Sequence, residues 1–303
     1  MIEVKNLVKR YGSFTAVNDV SFTVEKGEVL AFLGPNGAGK TTTIEMLVCL
    51  RKPDGGTALL SGFDIIKEQK KIKDVIGIQL QSTSLFELLT VKEIIEMYAS
   101  FYPKHVSIPD LIDEMILAEK QNERVKALSG GQKQRLAIAL ALIHDPEIIF
   151  LDEPTTGLDP QARRTLWDII LKLKEKGKTI VLSTHYMDDA HVLCDRIGIM
   201  DKGELIALDT PDALVKQLQS DSAVEFRGSL SIDENYLASL DGVKQVSRRE
   251  EVFTLYTDHL QNTLTSLIGY ASEEGILLSD LKTRTATLED VFIHMTGRRL
   301  REE

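Results

Sequence analysis

Val20, Phe22 and Val24 alternate with Ser21, Thr23 and Glu25, the period of a strand with one face buried and one in water. Lys26-Gly27 turns the chain. Val29–Leu33 is then apolar without interruption, as in a strand covered on both faces. Ile76–Leu80, Ile148–Leu151 and Thr179–Ser183 are further candidate buried strands. Helical periodicity covers Val91–Tyr102, Gln132–Ile143 and Pro160–Lys176. Strands alternating with helices imply an α/β fold with a mostly parallel sheet and helices on its faces. Residues 1–30 add an antiparallel piece, and 83–128, without an obvious central strand, reads as a helical insertion.

The pattern then changes, which predicts one domain over 1–219 and a second over 220–303. Thr210-Pro211 opens a short amphipathic helix that Ser220-Asp221-Ser222 ends. Beyond it, strands are expected over Ala223–Arg227, Val243–Arg248, Val252–Tyr256 and Ile276–Leu281, and helices over Glu234–Leu240, Leu260–Glu274 and Thr287–Met295. This β-α-β-β-α-β order suggests a small ferredoxin-like α+β unit.

Composition narrows the classes. With 43% apolar and 27% charged residues in a 303-residue chain, a disordered protein, a collagen and a disulfide scaffold are excluded. The net charge of −10, from 36 basic against 46 acidic residues, argues against nucleic acid as the main partner. Cys49 and Cys194 read as small buried hydrophobes in a reducing compartment. The opening MIEVKNLVKRYG lacks the apolar core of a signal peptide. The longest apolar run, Leu136–Ile143, falls short of the roughly 20 residues a span needs. The chain is therefore expected not to enter a membrane itself, but to work at one only by docking to a partner that does.

Gly34-Pro35-Asn36-Gly37-Ala38-Gly39-Lys40-Thr41 fits G-x-x-x-x-G-K-[ST] and stands between a buried strand and a helix, the context this loop requires. Its glycines let successive N–H groups curl inward, and the helix opening at Lys40 presents its positive end. The Lys40 ammonium suits β- and γ-phosphates, and the Thr41 hydroxyl suits Mg²⁺. Ile148–Leu151 ends in Asp152 and Glu153, two acids at the edge where open sheets bind ligands. Asp152 would hold Mg²⁺ directly or through water, and Glu153, one step further out, could polarise a water. Ser129 stands at an N-cap before Gly130, Gly131 and Gln132, a second helix end able to take an anion or simply a plain cap.

In order the chain carries Tyr11, GPNGAGKTT, Gln81, LSGGQ, FLDEPTTGLDP and His185. Over about residues 1–217 this resembles the nucleotide-binding subunit of ABC (ATP-binding cassette) transporters. The resemblance implies ATP and Mg²⁺ as ligands and ATP hydrolysis as the activity. It puts Tyr11 on the adenine ring and Asn36, Gly37, Ala38, Gly39, Lys40, Thr41 and Thr42 around the phosphates. Gln81 would touch Mg²⁺ and water and sense the membrane partner. Ser129 and Gly131 would reach the γ-phosphate of ATP held by a second copy, with Gly130 and Gln132 beside them. Glu153 would be the general base, Asp159 would cross the dimer interface, and His185 would contact the γ-phosphate. Bland readings stand beside these. Tyr11 also fits a surface aromatic, Gln79 shares a strand face with Gln81, and His185 fits a core position. The cluster His185, Asp188, Asp189, His191 also invites a metal, although a helix N-terminus favours such acids anyway.

The resemblance further implies an ATP-dependent homodimer with two equivalent sites. It implies a separate membrane permease as partner, and a cytoplasmic location at the inner face of the cell membrane through that permease. Thr285–Phe292 (TATLEDVF), Met295-Thr296-Gly297-Arg298 and the run SLFELLTVKE resemble drug-resistance and multidrug exporters of the daunorubicin type. Related subunits export sodium, lipids or polysaccharides. Residues 220–303 then read as a dimerisation or regulatory domain, or as a passive lid. A soluble ABC ATPase acting on ribosomes or DNA fits less well: translation-type relatives carry two cassettes, and DNA-repair relatives a long coiled coil between the half-sites. A binder that does not hydrolyse sits poorly with Glu153 and His185.

Overall fold

The computed structural model describes residues 1–218, 220, 222–229 and 232–296. It divides into two units between Thr210 and Pro211.

The first unit opens with an antiparallel pair, β1 (Ile2–Tyr11) and β2 (Phe14–Val24), in which Val20, Phe22 and Val24 are buried as their alternation expects. Next come β3 (Val29–Leu33), buried throughout, and α1 (Lys40–Leu47). β4 (Gly55–Leu60) and β5 (Phe63–Asp64) complete an antiparallel sheet ordered β2-β1-β4-β5. α2 (Gln69–Val75) and β6 (Ile76–Gln79) lead into the helical segment, which holds α3 (Val91–Ala99), α4 (Ile108–Glu114) and two single turns of tighter helix. α3 starts on a capping box, Thr90 with Glu93, and stops three residues short of the expected run. The remaining elements are α5 (Gly130–Leu142), β7 (Ile148–Asp152), α6 (Pro160–Glu175), β8 (Thr179–Thr184), α7 (Met187–Leu193), β9 (Arg196–Asp201) and β10 (Glu204–Asp209).

The second sheet runs β10-β9-β3-β8-β7-β6, with every neighbouring pair parallel except β10 with β9. Parallel register decides where the site lies. Leu33 pairs with Thr184, Asp152 with Ser183, and Gln79 with Leu151. The segments that follow β3, β6, β7 and β8 therefore leave the sheet at one edge. One apolar core joins both sheets, with Phe22 set edge-on to Phe32 at 5.1 Å between ring centroids. α6 buries Leu166, Ile169, Ile170 and Leu173, an i, i+3, i+4, i+7 stripe.

The second unit holds α8 (Pro211–Lys216), β11 (Ser222–Arg227), α9 (Glu234–Ser239), β12 (Val243–Arg249), β13 (Val252–Thr257), α10 (Leu260–Glu273), β14 (Ser279–Thr285) and α11 (Leu288–Thr296). Its sheet is ordered β12-β13-β11-β14 and is antiparallel throughout, the ferredoxin-like arrangement. One expectation is corrected. The strand expected over Ile276–Leu281 begins at Ser279, because Ile276 and Leu278 pack into the unit's apolar core in the turn after α10. The LEDVF stretch is explained by Asp290, which is buried. It accepts from the Tyr256 hydroxyl at 2.9 Å, from both terminal nitrogens of Arg284, and from the Thr287 amide and hydroxyl. Gly297 and Arg298 lie outside the described residues, as does Asp221. Among the described residues, no helix is long and apolar enough to cross a membrane.

Candidate functional site at the carboxyl edge of the parallel sheet

The loop between β3 and α1 is shaped by glycine. Gly39, at the N-cap of α1, has φ 100°, and a Cβ there would lie 2.6 Å from the Ala16 carbonyl oxygen. Only glycine fits both constraints. The loop and the first turn of α1 floor a cleft of about 410 Å³ that is also lined by Tyr11, Phe14, Ala16, Gln81 and Glu153. Asn36, Gly37, Ala38, Gly39, Lys40, Thr41 and Thr42 all line it. Tyr11 and Phe14 are cross-strand partners at the tip of the β1–β2 hairpin, 41% and 62% exposed. They form an apolar shelf beside the loop. Lys9 and Arg51 stand over the Tyr11 ring at 5.5 and 5.6 Å. Phe14 escaped the sequence reading because only the hairpin register brings it beside Tyr11.

Lys40 is buried, and its ammonium donates to the Gly34 and Pro35 carbonyls at 2.7 and 3.1 Å. It also pairs with Glu153 Oε1 at 3.3 Å. Burial pulls its pKa down, against the opposing pull of Glu153 and Asp152. Glu153 takes a left-handed φ of 52°, held there because its amide donates to the Ser183 hydroxyl and carbonyl at the end of β8. Its Oε2 accepts from His185 Nδ1 at 2.5 Å and from the Thr156 hydroxyl at 2.8 Å. Burial pushes its carboxyl up, but the His185 bond, the Lys40 charge and Thr156 outweigh that and hold it at about 2.

Asp152 sits behind this pair. Its Oδ1 accepts from the Thr41 hydroxyl at 3.1 Å and from Ser183 Oγ at 2.5 Å. Its Oδ2 is buried and has no hydrogen-bond partner, and burial raises its pKa. An orphaned carboxylate oxygen beside a hydroxyl is a hard-oxygen donor set that can hold a small divalent cation. Gln79, buried, bonds the Leu80 and Asp152 carbonyls through Nε2, and its own Oε1 also has no partner. Gln81 lies beyond the end of β6 and is exposed in the cleft wall, so the strand face shared with Gln79 ends before it.

Ser129 caps α5 as expected. Its hydroxyl accepts from Gln132 N, and Gln132 Oε1 accepts from Ser129 N. The Gln132 amide is thereby committed to the cap, which leaves the first-turn N–H groups of Gly130 and Gly131 at the helix end. A Cβ on Gly131 would meet Ala162 of α6 at 2.8 Å, so glycine lets the two helices touch. Asp159 caps α6, accepting from the Gln161 and Ala162 amides. Ser129–Gln132 and Asp159 do not line the phosphate-loop cleft of their own chain. The cleft therefore gathers one half of the expected residues, and the LSGGQ end remains apart, exposed at Ser129 and Gly130.

The acidic and histidine residues after β8 are not gathered into one ligand set. Among the described residues no group of three or more His, Cys, Asp or Glu is placed to hold a metal. Asp188 is exposed, while Asp189 is buried and accepts from the hydroxyls of Thr155 and Thr184 and from Trp167 Nε1. Asp189 thus ties the turn after β7, the end of β8 and α6 together. From sequence Asp189 reads only as a member of a possible metal cluster or a helix N-terminal acid, and Ser183 only as a strand residue. For Ser183 the signal is a polar residue after the apolar Ile180–Leu182, and only the fold shows which strand ends meet at either residue.

A phosphate-type loop between strand and helix, followed by an acid-ended strand at one sheet edge, defines a nucleoside-triphosphate hydrolase of the phosphate-loop class. The family model described as ABC transporter matches residues 17–156. The linearmycin resistance ATP-binding protein of Bacillus subtilis (strain 168) is 35% identical over 312 residues, spanning 100% of both chains. A Nod factor export ATP-binding protein of Burkholderia lata is 35% identical over 314 residues, 99% of this chain and 98% of its own. A dimeric ATP-binding cassette solved in a post-hydrolysis state with ADP and Pi matches with a TM-score of 0.63 at 30% identity, over 69% of this chain and 98% of that one. The chain belongs to the ABC transporter family. Within that family it is an ATP-binding, ATP-hydrolysing subunit.

Proposed function

We propose that two copies of this chain enclose two Mg-ATP molecules and that hydrolysis drives an efflux permease of the drug or multidrug class. The observation that carries the reading is the separation of Ser129–Gln132 from the phosphate-loop cleft within one chain. A cleft that lacks its second helix end is completed by another copy. Two helix ends and two loops then share the terminal charge of each triphosphate.

In this reading the Tyr11–Phe14 shelf takes the adenine ring, and the loop amides with Lys40 take the phosphates. Thr41 and Asp152 hold Mg²⁺ with Gln81 alongside; bound there, the ion neutralises charge on the β- and γ-phosphates. A γ-phosphate draws the Lys40 ammonium away from Glu153. Loss of that neighbouring cation makes the Glu153 carboxylate more basic, and it accepts a proton from the attacking water. His185, already bonded to Glu153, presents its other nitrogen to the γ-phosphate. Asp159 and the Ser129 end come from the second copy. The separate phosphate adds charge between the copies and breaks the bridge, so they part.

The loop after β6 supports coupling to a permease. Gln81 lines the nucleotide cleft, while Ser82, Thr83 and Ser84 line an apolar groove of about 440 Å³ with Leu50, Tyr98 and Leu140. A helix or loop of the membrane partner fits there and holds this chain at the cytoplasmic face of the membrane. Both relatives named above match along the whole chain, second unit included, and their names speak of linearmycin resistance and of Nod factor export. That supports efflux over uptake and leaves a dimerising or regulatory role for the second unit.

The test is light scattering on Glu153→Gln, which should dimerise at saturating Mg-ATP and return to monomer when ATP is removed; a variant that stays monomeric contradicts the two-copy site. Leu50→Asp should keep ATP binding but lose recovery with the membrane-embedded permease. Unchanged recovery would contradict the groove.

A further inference from the structure

Among the described residues, His185 makes one hydrogen bond, from Nδ1 to Glu153 Oε2 at 2.5 Å. That bond holds one edge of the ring, and resistance to the side-chain rotations that would break it and carry Nε2 away comes from a contact on the ring face. Tyr186 supplies it. Its ring centroid lies 4.2 Å from that of His185, with the planes 35° apart. Consecutive side chains of an extended strand point to opposite faces. These two meet because β8 ends at Thr184, whose hydroxyl accepts the Tyr186 amide at 2.9 Å and bends the chain. The Tyr186 ring is in turn held by Arg163, whose guanidinium carbon lies 4.1 Å from the ring centroid. Arg163 Nε is buried without a hydrogen-bond partner, so the ring face is what offsets its lost hydration. Arg163 sits in the first turn of α6, its amide donating to the carbonyl of Asp159, the cap expected to cross the dimer interface.

We propose that Arg163 and Tyr186 are positioning residues for His185: the guanidinium holds the Tyr186 ring, and the ring sets the plane of the imidazole that Glu153 anchors at Nδ1. A shift of the Asp159 end of α6 is then passed to His185 through two ring contacts. The inference rests on the reading that His185 contacts the γ-phosphate.

The experiment is steady-state ATPase kinetics of the full chain with its permease, for Tyr186→Leu, Tyr186→Phe, Arg163→Met, the double variant Arg163→Met/Tyr186→Leu, and His185→Ala. Tyr186→Leu should lower kcat about tenfold with KM for ATP within about twofold, because orientation and not affinity is lost. Tyr186→Phe, which keeps the ring, should retain kcat within about twofold. Arg163→Met should lower kcat about fivefold, the scale of one cation–π contact, and should add nothing in the Tyr186→Leu background. Wild-type kcat in Tyr186→Leu, or full additivity in the double variant, overturns the proposal. Wild-type kcat in His185→Ala instead overturns the reading of His185 itself, so the two failures are distinguishable. If Trp167 fluorescence shows that Tyr186→Leu does not fold, Arg163→Met decides alone: a lower kcat at unchanged KM supports the proposal, and an unchanged kcat overturns it.

Discussion

Protonating Glu153 unfastens the centre of the site, and the cost can be worked out. Its carboxyl is held at about 2 against an ordinary 4.5. At 1.36 kcal/mol per pH unit, that difference is worth about 3 kcal/mol of stability to the first unit. The folded-state value lies below the unfolded one, so the contribution is complete above pH 4.5 and fades as the pH falls towards 2. About 2 kcal/mol of it should be gone by pH 3. The figure belongs to the carboxylate's protonation and not to the whole ion pair, since burial also pulls the Lys40 ammonium down. Glu153→Gln has no such charge to lose. Urea unfolding can be followed through Trp167, the one tryptophan, whose Nε1 donates to Asp189 at 2.8 Å within the same unit. The gap in unfolding free energy between wild type and variant should narrow by about 2 kcal/mol between pH 7 and pH 3, other carboxylates cancelling in the difference. Curves that stay parallel over that range would refute the argument that Lys40 and His185 hold Glu153 ionised.

Asp152→Asn should raise the Mg²⁺ concentration needed for half-maximal ATPase by about tenfold or more, while affinity for a fluorescent ATP analogue in EDTA stays within about twofold; equal Mg²⁺ dependence would contradict the donor set. Asp290→Ala leaves Arg284 and Tyr256 facing an empty acceptor position and should destabilise the second unit by about 3–5 kcal/mol. Hydrogen exchange should then speed up across β11 and β13 and stay unchanged in β3 and β7; unchanged protection in β11 would show that the buried network contributes little. Ser129→Arg should leave nucleotide binding by the single chain within about twofold of wild type and abolish ATP-driven association, whereas loss of binding by the single chain would speak against a two-copy site.

The parallel sheet was legible because β3 is apolar throughout, β7 is apolar up to Asp152 and β8 is apolar over Ile180–Leu182, a pattern that few alternatives share. The phosphate loop was legible because its residues are contiguous. Other parts lack such a signal. α2 buries only Ile72, so no helical period shows in its sequence. β9 and β10 are short strands joined at Lys202-Gly203, both with positive φ, where the Lys-Gly pair is the only local sign of a hairpin. In the second unit, Ile276 and Leu278 look like strand residues and serve as packing in a turn, which no local pattern distinguishes. The site divides in the same way. Lys40, Asp152 and Glu153 announced themselves through motif spacing, and His185 through the family resemblance. Ser183, Asp189 and Phe14 matter because strand register or a turn brings them to the others, and that is information about the fold.

The central claim, that one copy's cleft is completed by the other's Ser129 end, is tested most directly by mixing two inactive chains. Lys40→Ala ruins every phosphate loop in its own dimers, and Ser129→Arg ruins every LSGGQ end in its own. A mixed dimer holds one site with both defects and one with neither. With the permease present, ATPase activity should reappear on mixing. If each site lies within a single chain, the mixture stays as inactive as its parts.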